Sequence, residues 1–296
     1  MKLFVNILRL IKYLLKFIFF EKKTYLCFLS VIFLSDKAGH RYTYYYHQLF
    51  KNLTQKKINF LEIGIFRGSS IRMWANYFKK ANIYGIDNCE INTSGELLCD
   101  ENILGKLNEI KNIKCFKCNQ DDKIKIEDIF KNQIFDIVID DGSHFIRDQL
   151  ISLGILFEKL KPGGIYVIED IAPVFSLQTG SWWGQKNGPE DTDSNYHGGK
   201  GYWKESYKKN QKLKDEIFFS DSTWAVLNNF IKNKIFYSEY LSNKNNRYLT
   251  ENIISIDIVS SGVNKPIFNS LGIEPMDKSY DSILNSGCLA IIKKKN

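Results

Sequence analysis

The chain has 296 residues, 44% hydrophobic and 25% charged, long enough to bury a large core and ordinary for a soluble globular protein. Its net charge is +8 and its pI about 9.0, yet the lysines are scattered and no RNP, zinc-finger or helix-turn-helix pattern accompanies them, so nucleic acid is not an expected partner. Of the six cysteines (Cys27, Cys89, Cys99, Cys115, Cys118 and Cys288), Cys115 and Cys118 make the only C-x-x-C. It lies inside a strand-like run without a second ligand pair, which points to buried thiols in a reducing cytoplasm rather than to zinc or redox chemistry.

At the start of the chain, Lys2, Asn6, Arg9, Lys12 and Lys16 recur at spacings of three and four and share one helical face. Charges spread along the whole segment, without a small-residue cleavage site, argue against a signal peptide. They also argue against a spanning helix, which needs ~20 mostly apolar residues. Two readings stand. Residues 1–20 dock as a basic amphipathic helix on an inner membrane surface, or they pack against the domain or a second subunit of a homo-oligomer. A second apolar run, Tyr25 to Leu34, completes an N-terminal extension over 1–34, ahead of a single domain over 35–296.

After the polar break Ser35 to His40, Tyr42 to Leu53 reads as a helix, and from Ile58 strands and helices alternate. Strands are expected at Asn59–Ile63, Ile83–Ile86, Ile113–Cys118, Phe135–Ile139 and Gly164–Ile168. Between them lie helices at Ser69–Phe78, Glu101–Ile110, Ile124–Phe130 and Ile146–Leu160. Short apolar runs separated by amphipathic helices imply an α/β, Rossmann-like fold with a mostly parallel sheet covered on both faces. Residues 172–204 form a polar loop carrying Trp182, Trp183, Tyr196, His197, Tyr202 and Trp203, the composition of a substrate lid. A helix over Ser222–Asn233 follows. Ile253–Val259 and Cys288–Lys293 then read as an antiparallel pair at the sheet edge.

The first strand runs into a glycine turn, with Glu62, Gly64, Gly68 and Ser69 in positions that let backbone approach a nucleotide-like ligand. Asp87 ends the second strand, where a carboxylate can accept ribose hydroxyls. The turn reads G-I-F-R-G-S rather than G-x-G-x-x-G. It therefore suits S-adenosylmethionine, which has no pyrophosphate and whose sulfonium cation an acid such as Glu62 favours. Gln120 and Asp121 follow the third strand at the adenine position, and Asp140 closes the fourth beside the cofactor.

Asp141-Gly142-Ser143-His144 follows the fourth strand and Glu169-Asp170 the fifth. Adjacent strand tips lie ~4.8 Å apart, so Asp141, Glu169 and Asp170 would crowd together and repel unless a cation neutralised them. All-oxygen ligation suits Mg²⁺, with Mn²⁺ or Ca²⁺ as substitutes. A metal-bound sugar hydroxyl could then give its proton to His144. His40, His47 and His197, taken singly, read as structural.

These motifs resemble class I methyltransferases, specifically the metal-dependent sugar O-methyltransferases of the macrocin and mycinamicin type. The likeness rests on Ser35-Asp36-Lys37 with His40 and Tyr42, F-L-E-I-G-I-F-R-G-S-S at 60–70, Y-G-I-D at 84–87, F-D-I-V-I-D-D-G-S-H at 135–144 and K-P-G-G-I-Y-V-I-E-D at 161–170. It implies that Asp141, Glu169 and Asp170 bind Mg²⁺, that His144 is the base, and that Glu62, Gly64 and Asp87 take cofactor positions. Beyond residue 175 it fades.

The expected reaction is in-line attack of a sugar hydroxyl on the cofactor methyl group, giving a methyl ether and S-adenosylhomocysteine. A nucleotide-activated sugar destined for a surface polysaccharide suits the basic charge and the N-terminal helix of a cytoplasmic or peripherally bound enzyme. Three rivals are weighed against this. Asp191-Thr192-Asp193 is the D-x-D of a metal-dependent glycosyltransferase, an NAD-dependent oxidoreductase would need the missing middle glycine, and a silent sugar-binding protein could share the fold. A fusion of residues 1–23 to a fluorescent protein should be recruited to anionic vesicles on the membrane reading; a fusion that stays in solution removes it.

Overall fold

The computed structural model describes residue 11 and residues 23–38, 42–90, 99–144, 146–171, 223–260 and 288–296. The elements open with α1 (Tyr25–Ile32), a 3-10 turn (Asp36–Ala38), α2 (Tyr42–Phe50) and a second 3-10 turn (Lys51–Leu53). Then come β1 (Asn59–Ile63), α3 (Ser69–Tyr77), β2 (Asn82–Asp87), α4 (Glu101–Asn108), β3 (Ile113–Lys117), α5 (Lys123–Ile129), β4 (Phe135–Asp140), α6 (Ile146–Leu156) and β5 (Leu160–Ile168). The chain continues through α7 (Thr223–Asn233), α8 (Asn243–Asn252), β6 (Ile253–Ser260) and β7 (Cys288–Lys294). The helices start where side chains can satisfy open amides: Thr24, Asp100, Asp122 and Ser242 cap α1, α4, α5 and α8.

One seven-stranded sheet runs in the order β3-β2-β1-β4-β5-β7-β6. Strands β1 to β5 are parallel, and β7 pairs antiparallel with both β5 and β6. This is the expected Rossmann-like sheet with an antiparallel C-terminal edge. Period-two alternation splits its side chains between two layers. Leu61, Ile63, Tyr84, Ile86, Val138 and Ile168 pack with Leu150 and Leu153 of α6 and Leu227 of α7. Phe60, Ile83, Ile137, Ile139 and Val167 pack with Leu26 of α1, Tyr46 of α2 and Trp74 of α3. Leu26, Leu29 and Val31 thus tie α1, which the sequence pattern groups with the N-terminal extension, into the core.

Several boundaries differ from the sequence pattern. Helix α2 tightens into a 3-10 turn after Phe50, and α6 stops at Leu156 rather than Leu160. The apolar run misleads there because Leu160 belongs to β5, where it pairs with Phe135. The buried Lys294 ammonium seals the end of α6, donating to the carbonyls of Phe157, Glu158 and Leu160 at 3.0, 3.3 and 2.6 Å. Helix α8 was not foreseen: its sequence is polar and only Asn246 and Leu249 are buried. The basic face of residues 1–20, the aromatic loop 172–204, His40, His197 and Asp191-Thr192-Asp193 lie outside the described residues. Among the described residues, no helix is long and apolar enough to cross a membrane.

The sheet order reverses between β1 and β4, and at such a switch point the loops leaving the two strands diverge and open a crevice. Gly64 and Asp141 meet at its floor. Gly64 has φ +89°, and a Cβ there would lie 2.0 Å from the Asp141 carbonyl oxygen. Gly64→Ala is therefore expected to lower the unfolding free energy by ~2 kcal/mol or more. Gly105→Ala in α4, where a Cβ meets nothing within 4 Å, should raise it by up to ~1 kcal/mol. Urea unfolding of both variants checks the pair.

Candidate active site

The C-terminal tips of β1, β4 and β5 converge on one ammonium group. Lys37 sits on the 3-10 turn after α1, with 1% of its side chain exposed. Its Nζ lies 2.5 Å from Asp141 Oδ2, 2.6 Å from Glu169 Oε1 and 3.3 Å from Glu62 Oε1. Burial works to lower the Lys37 pKa, but Asp141, Glu169 and Glu62 outweigh it and hold the group well above the usual lysine range. The acids feel the reverse. Burial, followed by repulsion from Asp141, pushes Glu169 well up against the pull of Lys37, and burial likewise raises Glu62.

Helix α2 supplies two further donors to these acids. Tyr42 and Tyr46, four residues apart on one face, are fully buried. The Tyr46 hydroxyl donates to Glu169 Oε1 at 2.6 Å, and the Tyr42 hydroxyl donates to Asp170 Oδ1. Glu62 is closed in by Ser70 Oγ at 2.7 Å and Trp74 Nε1 at 3.1 Å, both from α3. The Trp74 ring in turn packs against Tyr46, Phe60 and Phe78. Sequence reasoning set Glu62 against the cofactor's sulfonium; in the structure Glu62 is fully buried with its Oε1 3.3 Å from Lys37 Nζ.

On the outer side, Asp141, His144 and Asp170 each offer a ligand atom within 4.8 Å of the others. His144 Nε2 lies 3.7 Å from Asp141 Oδ1, while Lys37 takes Oδ2, so imidazole and ammonium approach different oxygens of one carboxylate. His144 and Asp170 adopt left-handed backbone, φ 60° and 53°, a strained state for side-chain-bearing residues and a frequent mark of functional loops. The donor set fits a divalent ion. Three carboxylates (Glu62, Asp141 and Glu169) contact one ammonium, and Asp170 lies within ligand reach of Asp141 and His144 on the far side from it.

The remaining predicted positions divide between two roles. Asp87 Oδ2 accepts from the amides of Ile65 and Phe66, and Oδ1 from that of Cys89, so Asp87 shapes the glycine turn from the neighbouring strand. It stays partly exposed. Gly68, in left-handed backbone at φ 74°, precedes Ser69 at the start of α3, and their turn brings backbone to the same crevice. Gln120 and Asp140 instead lie beneath the Asp141–His144 loop. Gln120 Oε1 accepts from the Ser143 amide at 2.7 Å, and a Cβ on Gly142 would reach within 2.0 Å of that oxygen. Asp140 accepts from Ser152 at 2.5 Å, and burial pushes its carboxyl up to about 6. Asp121 pairs with Arg147 at 2.6 Å. His47 bonds Tyr77 at 2.9 Å, away from these acids, and Cys115 and Cys118 are buried thiols with pKa values raised by that burial.

Sequence reasoning gave Lys37 and Tyr42 no role beyond the resemblance and did not single out Tyr46. A Y-x-x-x-Y pair beside a lone lysine, set against unpaired strand-tip acids, is the signal that could have found them.

Residues 61–171, which contain every one of these strand tips, match the family model of a methyltransferase domain. Over that stretch the chain is similar to a methyltransferase domain. Over 170 residues it is 32% identical to the 8-demethyl-8-alpha-L-rhamnosyl tetracenomycin-C 2'-O-methyltransferase of Streptomyces olivaceus, covering 54% of this chain and 39% of that one. Against the mycinamicin VI 2''-O-methyltransferase of Micromonospora griseorubida it is 32% identical over 161 residues, 51% of this chain and 37% of the relative. The chain thus spans less than half the length of these two relatives. Its fold is similar to that of the MycE methyltransferase from the mycinamycin biosynthetic pathway, solved with Mg and SAH. The TM-score is 0.54 at 22% identity, over 93% of this chain and 56% of that one.

Tyr46→Phe removes a hydroxyl from a buried carboxylate and should cost about 1–3 kcal/mol of stability. Tyr237→Phe, at a side chain 61% exposed, should change it by less than ~0.5 kcal/mol. Chemical denaturation of the two variants side by side checks this.

Proposed function

We propose that the methyltransferase domain transfers the methyl group of S-adenosylmethionine to a sugar hydroxyl, with a divalent ion, Mg²⁺ in the first instance, held by the strand-tip acids. The observation that carries the reading is the convergence of Asp141, His144 and Asp170 at the β1/β4 switch point of a methyltransferase domain. The curated relatives, named as O-methyltransferases of sugar-bearing small molecules, support the acceptor class. When bound, the cofactor supplies an electrophilic methyl group and the ion lowers the pKa of a coordinated hydroxyl.

The chain's own residues do the rest. Asp141 and Asp170 hold the ion from adjacent strand tips, and Glu169 stands behind them, fixed by Lys37 and Tyr46. Asp87 and the turn from Gly64 to Ser69 orient the nucleoside part of the cofactor. His144 takes the acceptor proton on Nε2, so that alcohol and cofactor become methyl ether, S-adenosylhomocysteine and an imidazolium. Holding oxygen, carbon and sulfur in line supplies several kcal/mol of the acceleration, up to ~10.

For the acceptor we propose a sugar presented on a small molecule. The nucleotide-activated sugar of a surface polysaccharide is the version the +8 charge favours, since its diphosphate is anionic. A panel of nucleotide sugars and finished glycosides, scored for methyl incorporation, separates the two. Asp141→Ala and His144→Ala should each reduce turnover by about 10²-fold or more, while calorimetry finds S-adenosylmethionine affinity within a few-fold of wild type. Retained turnover in both variants would refute these roles.

A further inference from the structure

Lys37 is a costly residue to bury. It reaches the strand tips from the far end of the domain sequence, 104 residues before Asp141 and 132 before Glu169. An ammonium taken out of water is tolerated only when its partners are close and well aligned. It binds Asp141, which is assigned to the divalent ion, Glu169 directly behind it, and Glu62, which sequence reasoning assigned to a cationic ligand. The protein therefore carries one permanent positive charge inside the cluster that is to receive a second, mobile one. A tethered cation at this place has two opposed effects. It allows the acids to sit side by side when the ion is absent, and it repels the ion when present.

We infer that Lys37 is a positioning residue that holds Asp141 and Glu169 assembled ahead of the divalent ion and lowers that ion's affinity in return. This rests on the metal reading of the site given above. Without Lys37, mutual repulsion of the acids is relieved only by the ion, so folding stability and metal occupancy become linked. The linkage separates this role from a plain buried ion pair, whose loss would weaken fold and metal binding together.

The test uses Mn²⁺ alone as the probe, with thermal melting and calorimetric titration of the full chain as wild type, Lys37→Met and Lys37→Arg. Lys37→Met should melt below wild type without Mn²⁺ and gain more from saturating Mn²⁺ than wild type gains. It should also bind Mn²⁺ about tenfold more tightly or better, the change expected on removing a like charge a few ångströms away. Lys37→Arg, which keeps the charge, should stay near wild type in both readouts. Where Lys37→Met does not fold, it is refolded from urea with and without Mn²⁺; recovery only with the ion supports the linkage, and failure under both conditions overturns it. Unchanged or weaker Mn²⁺ binding by Lys37→Met, beside a wild type that does bind, overturns the role of Lys37 alone. A wild type that binds no Mn²⁺ overturns the metal reading and the inference with it.

Discussion

An ammonium group buried among carboxylates joins parts of the chain that local structure would leave independent. Lys37 comes from the turn after α1, Glu62 from β1, Asp141 from the tip of β4 and Glu169 from the tip of β5. Each of these charges alone would be expensive in a protein interior, and each becomes tolerable because the others are there. The aromatic layer of Tyr46, Trp74, Phe60 and Phe78 excludes water from one side of this group and donates hydrogen bonds to it through Tyr46 and Trp74. The site is thus the usual sheet edge of an α/β fold completed by a segment from outside the alternating strands and helices.

Around this dry core the loops that leave the strands are strained. Phe66, Cys89, His144 and Asp170 all have left-handed backbone, and each lies within three or four residues of a strand end. Such conformations cost roughly 1–3 kcal/mol apiece and persist where surrounding contacts over-determine them. Here the over-determination is visible. Asp87 fastens three loop amides, Gln120 fastens Ser143, and the Gly64–Asp141 approach leaves no room for either loop to relax. His144 and Asp170 are held where they are by backbone geometry before any ligand is considered.

Much of this was legible in the sequence. The alternation of short apolar runs with amphipathic helices gave all seven strands and their division into a parallel body and an antiparallel edge. The acids at 87, 141, 169 and 170 were placed at strand tips by counting alone. What was not legible depended on long-range geometry. Glu62 read as facing a ligand because its spacing from Gly64 says nothing about which face of β1 it occupies; it points into the layer of α3, where Lys37 meets it. Asp140 and Asp141 are adjacent and chemically identical, so only strand alternation separates their surroundings, with Asp140 turned toward Ser152 and Asp141 toward Lys37. Helix α8 escaped because polar side chains such as Asn246 bury themselves by bonding backbone, a pattern without apolar periodicity.

The order of strands at the antiparallel edge carries a consequence for biosynthesis. β7, though later in the chain, lies between β5 and β6. As the polypeptide emerges from the ribosome, β5 and β6 are made before β7, the strand that both pair with, so the outer edge of β5 stays unpaired and β6 has no partner in the sheet until then. Such open edges invite pairing with other chains. The nascent protein therefore depends on the arrival of residues 288–294, with Lys294 locking onto the end of α6, to close that edge.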